Sequence, residues 1–336
     1  LFGRIDSLKD SALETFLAAE DTRTAAQVSL ASAVAVAYLT LAADCENLAL
    51  AGETLAAQKE TYDLILQSRD FGMADDLQLR QAQSQVEASR VEQARLLGLV
   101  TVDRNALNLL VGTSLPEVLL PRRLSDIVAP KAVNAGLSSN VLLARPDIMA
   151  AEHRLKAINA NIGAARAALF PSITLTAAGG TSSGELSGLF DAGSKSWSFN
   201  PQISLPIFTG GALRANLRKS EVERQIAVAE YEKAIQVAFQ EVSDALSLGG
   251  TLNVQRTAQE ALVDALDATH RLALTRWEAG MSNYLEVLVA ERSLFSARQG
   301  LISLRLADEV NRITLYKVLG GGGDPTQRSE ETKGGA

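Results

Sequence analysis

Few residues of this chain stand at spacings that could do chemistry. The two histidines, His153 and His270, lie far apart, and neither has a second ligand at metal-binding spacing. Structural or solvated roles are expected for both, and no metal site. Cys45, the only cysteine, cannot form an internal disulfide and reads as a small packed residue of a helical seam. No nucleophile–base pair stands out, and Gly320–Gly323 lead into a polar tail rather than a helix, which leaves no phosphate cradle. No catalytic residue and no cofactor are expected. The carboxylates that do draw notice follow two glycine corners. Asp75 and Asp76 come after Gly72-Met73, and Glu286 comes after Gly280-Met281-Ser282. A carboxylate there can attract cations or pair with a neighbouring element; on its lone spacing it can equally be a solvated helix residue.

The elements that must position these corners are written twice. GMADDLQLRQAQ begins at Gly72 and GMSNYLEVLVAE at Gly280, 208 residues later. Leu77/Leu285, Ala82/Ala290 and Leu107/Leu315 keep that offset, as do the ends at Val111-Gly112 and Leu319-Gly320. No proline precedes Pro116, and none lies between Pro206 and Pro325. Within these windows Ala, Leu, Gln, Glu, Arg and Val dominate, which favours helix. The segment from Gly3 to Asp70 predicts a helix of roughly 65 residues, about 100 Å at 1.5 Å per residue. That from Ala212 to Ala279 is nearly as long, with a possible break at Gly249-Gly250. Val28, Ala31, Ala35, Tyr38, Ala42 and Cys45 fall at spacings of three and four, and so do Val228, Tyr231, Ile235, Ala238, Val242 and Ala245. These are coiled-coil seams with residues small enough for close helix axes.

Composition agrees. The chain has 336 residues, 47% hydrophobic but only 5% aromatic, so much of its apolar content is alanine. A net charge of −7 without a basic run argues against nucleic acid. No run of 18 uninterrupted apolar residues occurs, which argues against a transmembrane helix.

Between the two halves the texture changes. Residues 113–145 read as a connector, and Pro146-Asp147 start a helix to about Leu169. Two strand-like runs follow, over 171–181 and 196–207. In the second, Trp197, Phe199, Ile203, Leu205 and Ile207 alternate with Ser198, Asn200, Gln202 and Ser204. Strands of about ten residues with one apolar face and a long polar loop suit a membrane β-barrel. They suit equally a hairpin lying on a soluble core. One hairpin cannot close a barrel, because its edges would stay unpaired in lipid. A long helical hairpin likewise needs neighbours. Both arguments point to an oligomeric tube.

IGAARAALFPSITLT (Ile162–Thr176) and LSGLFDAGSKSWSFNPQISLPIFTGG (Leu186–Gly211) closely resemble the TolC-like outer-membrane efflux channels. The nearest branch is that of OprM, OprJ and OprN. LFGR at Leu1–Arg4, DLQLRQAQ at Asp76–Gln83, RPDI at Arg145–Ile148 and LYKVLGGG at Leu315–Gly322 fit the same family in the same order. The resemblance implies a mainly α fold with a small β part: long antiparallel hairpins of a periplasmic α-barrel, strands of a trimeric outer-membrane β-barrel, and an internal repeat. It also implies that at least about 60 residues precede Leu1 in the complete protein, by analogy with the second repeat. Any lipid-bearing cysteine of a lipoprotein would lie there.

The organisation expected on this resemblance runs as follows along the chain. Residues 1–112 form a first hairpin with its tip near 72–77, and 113–145 an equatorial connector. Residues 146–170 lead to the barrel, and 171–208 form the membrane hairpin, with an extracellular loop at 182–195. Residues 209–320 form a second hairpin with its tip near 280–286, and 321–336 a disordered tail. Trp197, Phe199, Ile203 and Leu205 would face lipid. Gly72, Met73, Asp75, Asp76, Gly280, Met281 and Ser282 would form tips that dock an adaptor. Leu285, Glu286 and Val289 would constrict the pore, with three Glu286 carboxylates crowded around a threefold axis and raised in pKa.

The function so implied is the passive exit duct of a Gram-negative tripartite multidrug efflux pump, outer-membrane located and reaching into the periplasm. Its partners would be two further copies, a periplasmic adaptor, a proton-driven inner-membrane drug transporter and outer-membrane lipid. A duct for type I protein secretion and a periplasmic coiled-coil adaptor are the alternatives.

Overall fold

The computed structural model describes residues 2–71, 75–127 and 140–321. The chain order is α1 (Arg4–Asp70), α2 (Asp76–Val111), the short α3 (Asn140–Leu143), α4 (Pro146–Ala167), β1 (Ser172–Thr181), β2 (Lys195–Ser204), α5 (Ala212–Glu278) and α6 (Tyr284–Val318). Two compact units share these elements: Leu1–Ala25 with Leu143–Val237, and Ala26–Leu142 with Ala238–Ala336. The tail beyond residue 321 and Gly72 and Met73 of the first corner lie outside the described residues.

In the first unit α4 is the organiser. Pro146 occupies its first turn, where a missing N–H costs nothing. Arg145 grips Asp147 through two bonds of 3.0 and 2.7 Å. The guanidinium and the Ile148 amide hold the Asp147 carboxyl below the usual carboxylate range, against an opposing push from burial. The face of α4 that packs is mostly small: Ala150, Ala157, Ala164, Ala165 and Ala167, with Ile148 and Ile162. At Gly163 the start of α1 comes so close that a Cβ would sit 2.5 Å from the Ser7 hydroxyl. His153 meets Glu14 at 2.5 Å through Nδ1 and Asp21 at 3.8 Å through Nε2. It ties two helices rather than chelating an ion, because its two carboxylates stand at opposite ring nitrogens.

β1 and β2 pair antiparallel in a single register from Ser172↔Ser204 to Thr181↔Lys195. That register puts Ile173, Leu175, Ala177 and Gly179 on one face with Ile203, Pro201, Phe199 and Trp197. Serines, threonines, Asn200 and Gln202 dominate the other. β2 stops at Ser204, so Leu205 and Ile207, expected as strand residues, lie beyond it. Pro206 between them has no amide for a ladder. β2 also begins one residue earlier than expected, at Lys195.

In the second unit the remainders of α1 and α5 pack with α2 and α6. One cluster joins Ile65, Leu79 and Ala82 to Ala273, Tyr284, Val287, Leu288 and Ala290. Another joins Leu39 and Ala42 to Leu124 and Ile313. The seam of α1 is shifted from the expected one at two steps: Ser32 is buried and Ala31 exposed, and Leu39 is buried where Tyr38 is only half-buried. Ser32 satisfies its hydroxyl on the Val28 carbonyl one turn back. α1 also holds a stretch apolar enough to cross a bilayer by length and composition alone. The expectation of no such helix rested on uninterrupted runs, and isolated Ser and Thr residues break this one.

α5 runs through Gly249-Gly250 without the break allowed for there. Gly249 marks a close crossing instead. A Cβ on Gly249 would sit 3.0 Å from the Asn311 side-chain amide, which itself donates to the Ala245 carbonyl at 3.0 Å. Gly250 has nothing within 4 Å. Gly249→Leu is therefore expected to destabilise the protein by about 1–3 kcal/mol through overpacking. Gly250→Ala should instead stabilise it by about 0.5–1 kcal/mol, because the helix loses a flexible residue. Urea-unfolding midpoints of the two variants check the contrast.

Candidate functional site: the corner, its groove and the exposed strands

The two returning helices start in the same way. Asp75 accepts the Gln78 amide at 2.8 Å, and Asn283 accepts the Glu286 amide at 3.2 Å, so each caps its helix from equivalent positions of the repeat. Asp75 is thus an N-cap, and Asp76 pairs at 2.9 Å with Arg69 of its own hairpin rather than with the neighbouring one. At the second corner Gly280 takes a left-handed conformation, φ 70°. Its amide bonds to the Trp277 carbonyl, and that of Met281 to the Arg276 carbonyl, which closes α5 in a Schellman turn. Met281 is exposed, while the Ser282 hydroxyl is buried without a partner.

Behind the corner Tyr284 is buried against Trp277, ring centroids 5.3 Å apart. Burial, with the Glu291 charge beside it, pushes the Tyr284 phenol up. Burial also raises Glu291, opposed by a hydrogen bond from Gln58. Burial lowers His270, which faces Asp267 and Arg298. In front, Leu285, Glu286 and Val289 share the exposed side of α6. With Leu266, Leu272 and Arg276 of α5 they line an open groove of about 570 Å³. The structure brings the three expected constriction residues together, and adds Arg276 beside Glu286. Sequence spacing gave no sign of that cation, since it stands on the other helix.

Polar bonds also link the two hairpins. Arg292 donates to Gln85 at 3.3 Å, and Gln299 to Glu92 at 3.3 Å. Arg95 and Gln299 hold Glu92 below the usual carboxylate range, with burial opposing. Between α1 and α2, burial and a hydrogen bond that protonated Asp103 donates to the Asp44 carboxylate raise Asp103 to about 6. Cys45 next to it is raised by burial and by the same two carboxylates. It is half-buried in the seam, free, and flanked by negative charge. Among the described residues no group of three or more His, Cys, Asp or Glu is placed to hold a metal.

On the β-hairpin, Trp197, Phe199 and Ile203 are 82, 54 and 71% exposed, and Leu205 just beyond β2 is 53% exposed. Trp197 stands opposite Gly179, where no side chain shields its ring. A water-soluble sheet rarely presents such a face.

Residues 1–113 and 137–321 match the profile of the outer membrane efflux proteins. The chain belongs to the outer membrane efflux protein family. It is 50% identical over 326 residues to the toluene efflux pump outer membrane protein TtgF of Pseudomonas putida, covering 96% of this chain and 67% of that protein. To OprJ of Pseudomonas aeruginosa it is 42% identical over 341 residues, covering 100% of this chain and 70% of the other. The open state of the MtrE outer membrane channel of Neisseria gonorrhoeae aligns with a TM-score of 0.87 and 40% identity, covering 96% of this chain and 73% of that one. The chain thus spans about two thirds of the length of these relatives. Its fold class is that of the family: long helical hairpins with a small β part, in an outer-membrane protein.

The Asp44–Asp103 pair gives this family member a pH signature. Folding raises the Asp103 pKa from 3.8 to about 6, so the folded state binds this proton more tightly than the unfolded state. The resulting stability is complete below 3.8 and is lost as pH rises through 6. The thermal midpoint of the purified protein should rise between pH 7 and pH 5. Asp103→Asn, which keeps a hydrogen-bonding group without the charge, should flatten that slope.

Proposed function

We propose that this chain forms the exit duct of a tripartite efflux pump, a passive path for drugs and solvents across the periplasm and outer membrane. The observation that carries the reading is one chain holding both an apolar-faced, exposed β-hairpin and two repeated helical hairpins, in a family of outer membrane efflux proteins. Relatives described as toluene and antibiotic efflux pump components favour small molecules over secreted proteins as cargo. The working unit is a homotrimer. It docks a periplasmic adaptor at the corners near Gly72, Met73 and Gly280–Ser282, and receives substrate from a proton-driven inner-membrane transporter. No residue is given a catalytic role; the energy comes from that transporter.

In this reading Ile173, Leu175, Trp197, Phe199 and Ile203 face lipid, and the serines and threonines of the opposite face line water. Ile203→Arg should cost about 2–4 kcal/mol if the residue lies near the bilayer midplane. Trimer yield in outer membranes should drop accordingly. Normal insertion of Ile203→Arg would move the bilayer off this face.

The gate is assigned to Leu285, Glu286 and Val289. Threefold symmetry brings three carboxylates and three leucines toward one axis, and the left-handed Gly280 gives the corner the backbone freedom to swing. Arg276 in the same groove supplies a counter-charge that can hold Glu286 aside when the bore is open. Single-channel recordings in planar bilayers test both duct and gate. The resting protein should conduct poorly, prefer cations and be blocked by trivalent cations. Glu286→Gln should weaken selectivity and block, and Leu285→Ala should mainly enlarge the leak. Wild-type selectivity and block in Glu286→Gln would remove Glu286 from the gate.

A further inference from the structure

The apolar face of the β-hairpin ends in a cation, and at one end only. β1 holds no charged residue, and Lys195 is the only one in β2. Side chains alternate across a sheet, so Lys195 shares a face with Trp197, Phe199 and Ile203. Its partner across the ladder is Thr181, on the same face as Leu175 and Ile173. Directly opposed side chains start about 5 Å apart, within reach of one small ligand group. One step inward Trp197 stands opposite Gly179. A Cβ on Gly179 would meet nothing within 4 Å, so the indole borders an open notch.

The polar groups gathered here are alike. A lysine ammonium and an indole N–H only donate hydrogen bonds, and a threonine hydroxyl can donate one. Among the described residues Lys195 forms no ion pair. The loop's two carboxylates, Glu185 and Asp191, lie outside the strands. These groups suit an anion, and the apolar column beneath them suits a hydrocarbon tail on that anion. A free inorganic ion would leave Trp197 and Phe199, both exposed, in contact with nothing.

Depth agrees. From Lys195 to Ser204 the strand rises about 30 Å at about 3.3 Å per residue, or about 23 Å of depth at a tilt of about 40°. The apolar band of a membrane barrel is about 25 Å tall, so Lys195 stands at its rim. There a lysine stem lies on apolar surface while its ammonium reaches the headgroups. α4 and α5 join the hairpin at the Ser172–Ser204 end, so Lys195 marks the end away from the helices. Further strands would pair with the edges of the hairpin and leave this face open.

We propose that Lys195, Thr181 and Trp197 seat the phosphate of a lipid headgroup in the leaflet that the hairpin loop faces, with an acyl chain of that lipid lying over Gly179 and Phe199. The assignment rests on the membrane duct of the preceding section, in which that leaflet is the outer one. Three such seats, one per copy, fix the height of the barrel against the headgroups.

The test titrates the full-length, detergent-extracted trimer with diphosphoryl lipid A and counts bound lipid by native mass spectrometry. Up to three lipids should bind ahead of a weaker background. Lys195→Glu should weaken that binding by about tenfold, and removing the phosphates from the lipid should do the same to the wild type. Lys195→Arg should keep it, and Lys195→Gln repeats the loss where the reversed charge blocks insertion. Equal affinity of wild type and Lys195→Gln, or of the lipid with and without its phosphates, overturns the seat and leaves trimer and duct standing. Displacement of the lipid by inorganic phosphate at millimolar concentration makes this a free-anion site and overturns the lipid. A wild type that yields no trimer in outer membranes overturns the duct itself, and this seat with it.

Discussion

Close approach of helix axes is the constraint on which the rest of this protein depends. Helices of 67 residues with few aromatic side chains cannot bury much area per turn. They gain stability by lying near enough for small residues to make dense contact. Ala42 and Ala238 have no exposed surface, and Gly163 and Gly249 each admit a neighbour where a methyl group would collide or crowd. The polar cross-links follow from that proximity. Gln259 reaches the Ala297 carbonyl at 2.8 Å, Asn311 reaches that of Ala245, and Arg298 reaches Asp267 at 2.9 Å. None of these side chains could span a wider, leucine-filled interface and still find its partner.

Much of this was legible in the residues themselves. Proline-free windows rich in helix formers announced the long helices, and a repeated Gly-Met corner announced the two returning ones. Strict alternation around Trp197 and Phe199 placed one face of β2. Other features depend on partners distant in sequence and could not be read locally. A glycine pair inside a helix signals either a break or a close crossing, and only the position of Asn311 decides between them. Asp75 looks like a surface carboxylate until the free amide of Gln78 is placed above it. Leu205 keeps the alternation of β2, yet Pro206 ends the ladder before it. The charge around Glu286 was half visible: its own helix is acidic there, but Arg276 approaches from another.

The corner proposed as the gate has two unlike sides. Its buried side is held by Tyr284, Trp277 and Leu288, and its exposed side offers Leu285, Glu286 and Val289. In the proposed duct a corner so anchored would turn as a body while its outward residues set what passes. The two corners also differ chemically where they are equivalent in the repeat. Gln78 stands where Glu286 stands, and Asp76 where Tyr284 is buried. The repeat keeps the capping geometry of the two corners, while only the second carries a carboxylate at the Gln78/Glu286 position.

The β-hairpin has a consequence for how fast the protein can reach its membrane. β1 and β2 pair only with each other among the described strands, so each leaves an outer edge of ten residues with unmet amides and carbonyls. Moving such edges into hydrocarbon alone costs several kcal/mol for each unmet group. Entry into the bilayer is then coupled to the meeting of strands and cannot precede it. In the proposed homotrimer, where other copies supply strands, the rate of maturation depends on how many copies are present at once. A cell that makes this protein slowly would hold it longest in a form whose apolar strand face is still in search of company.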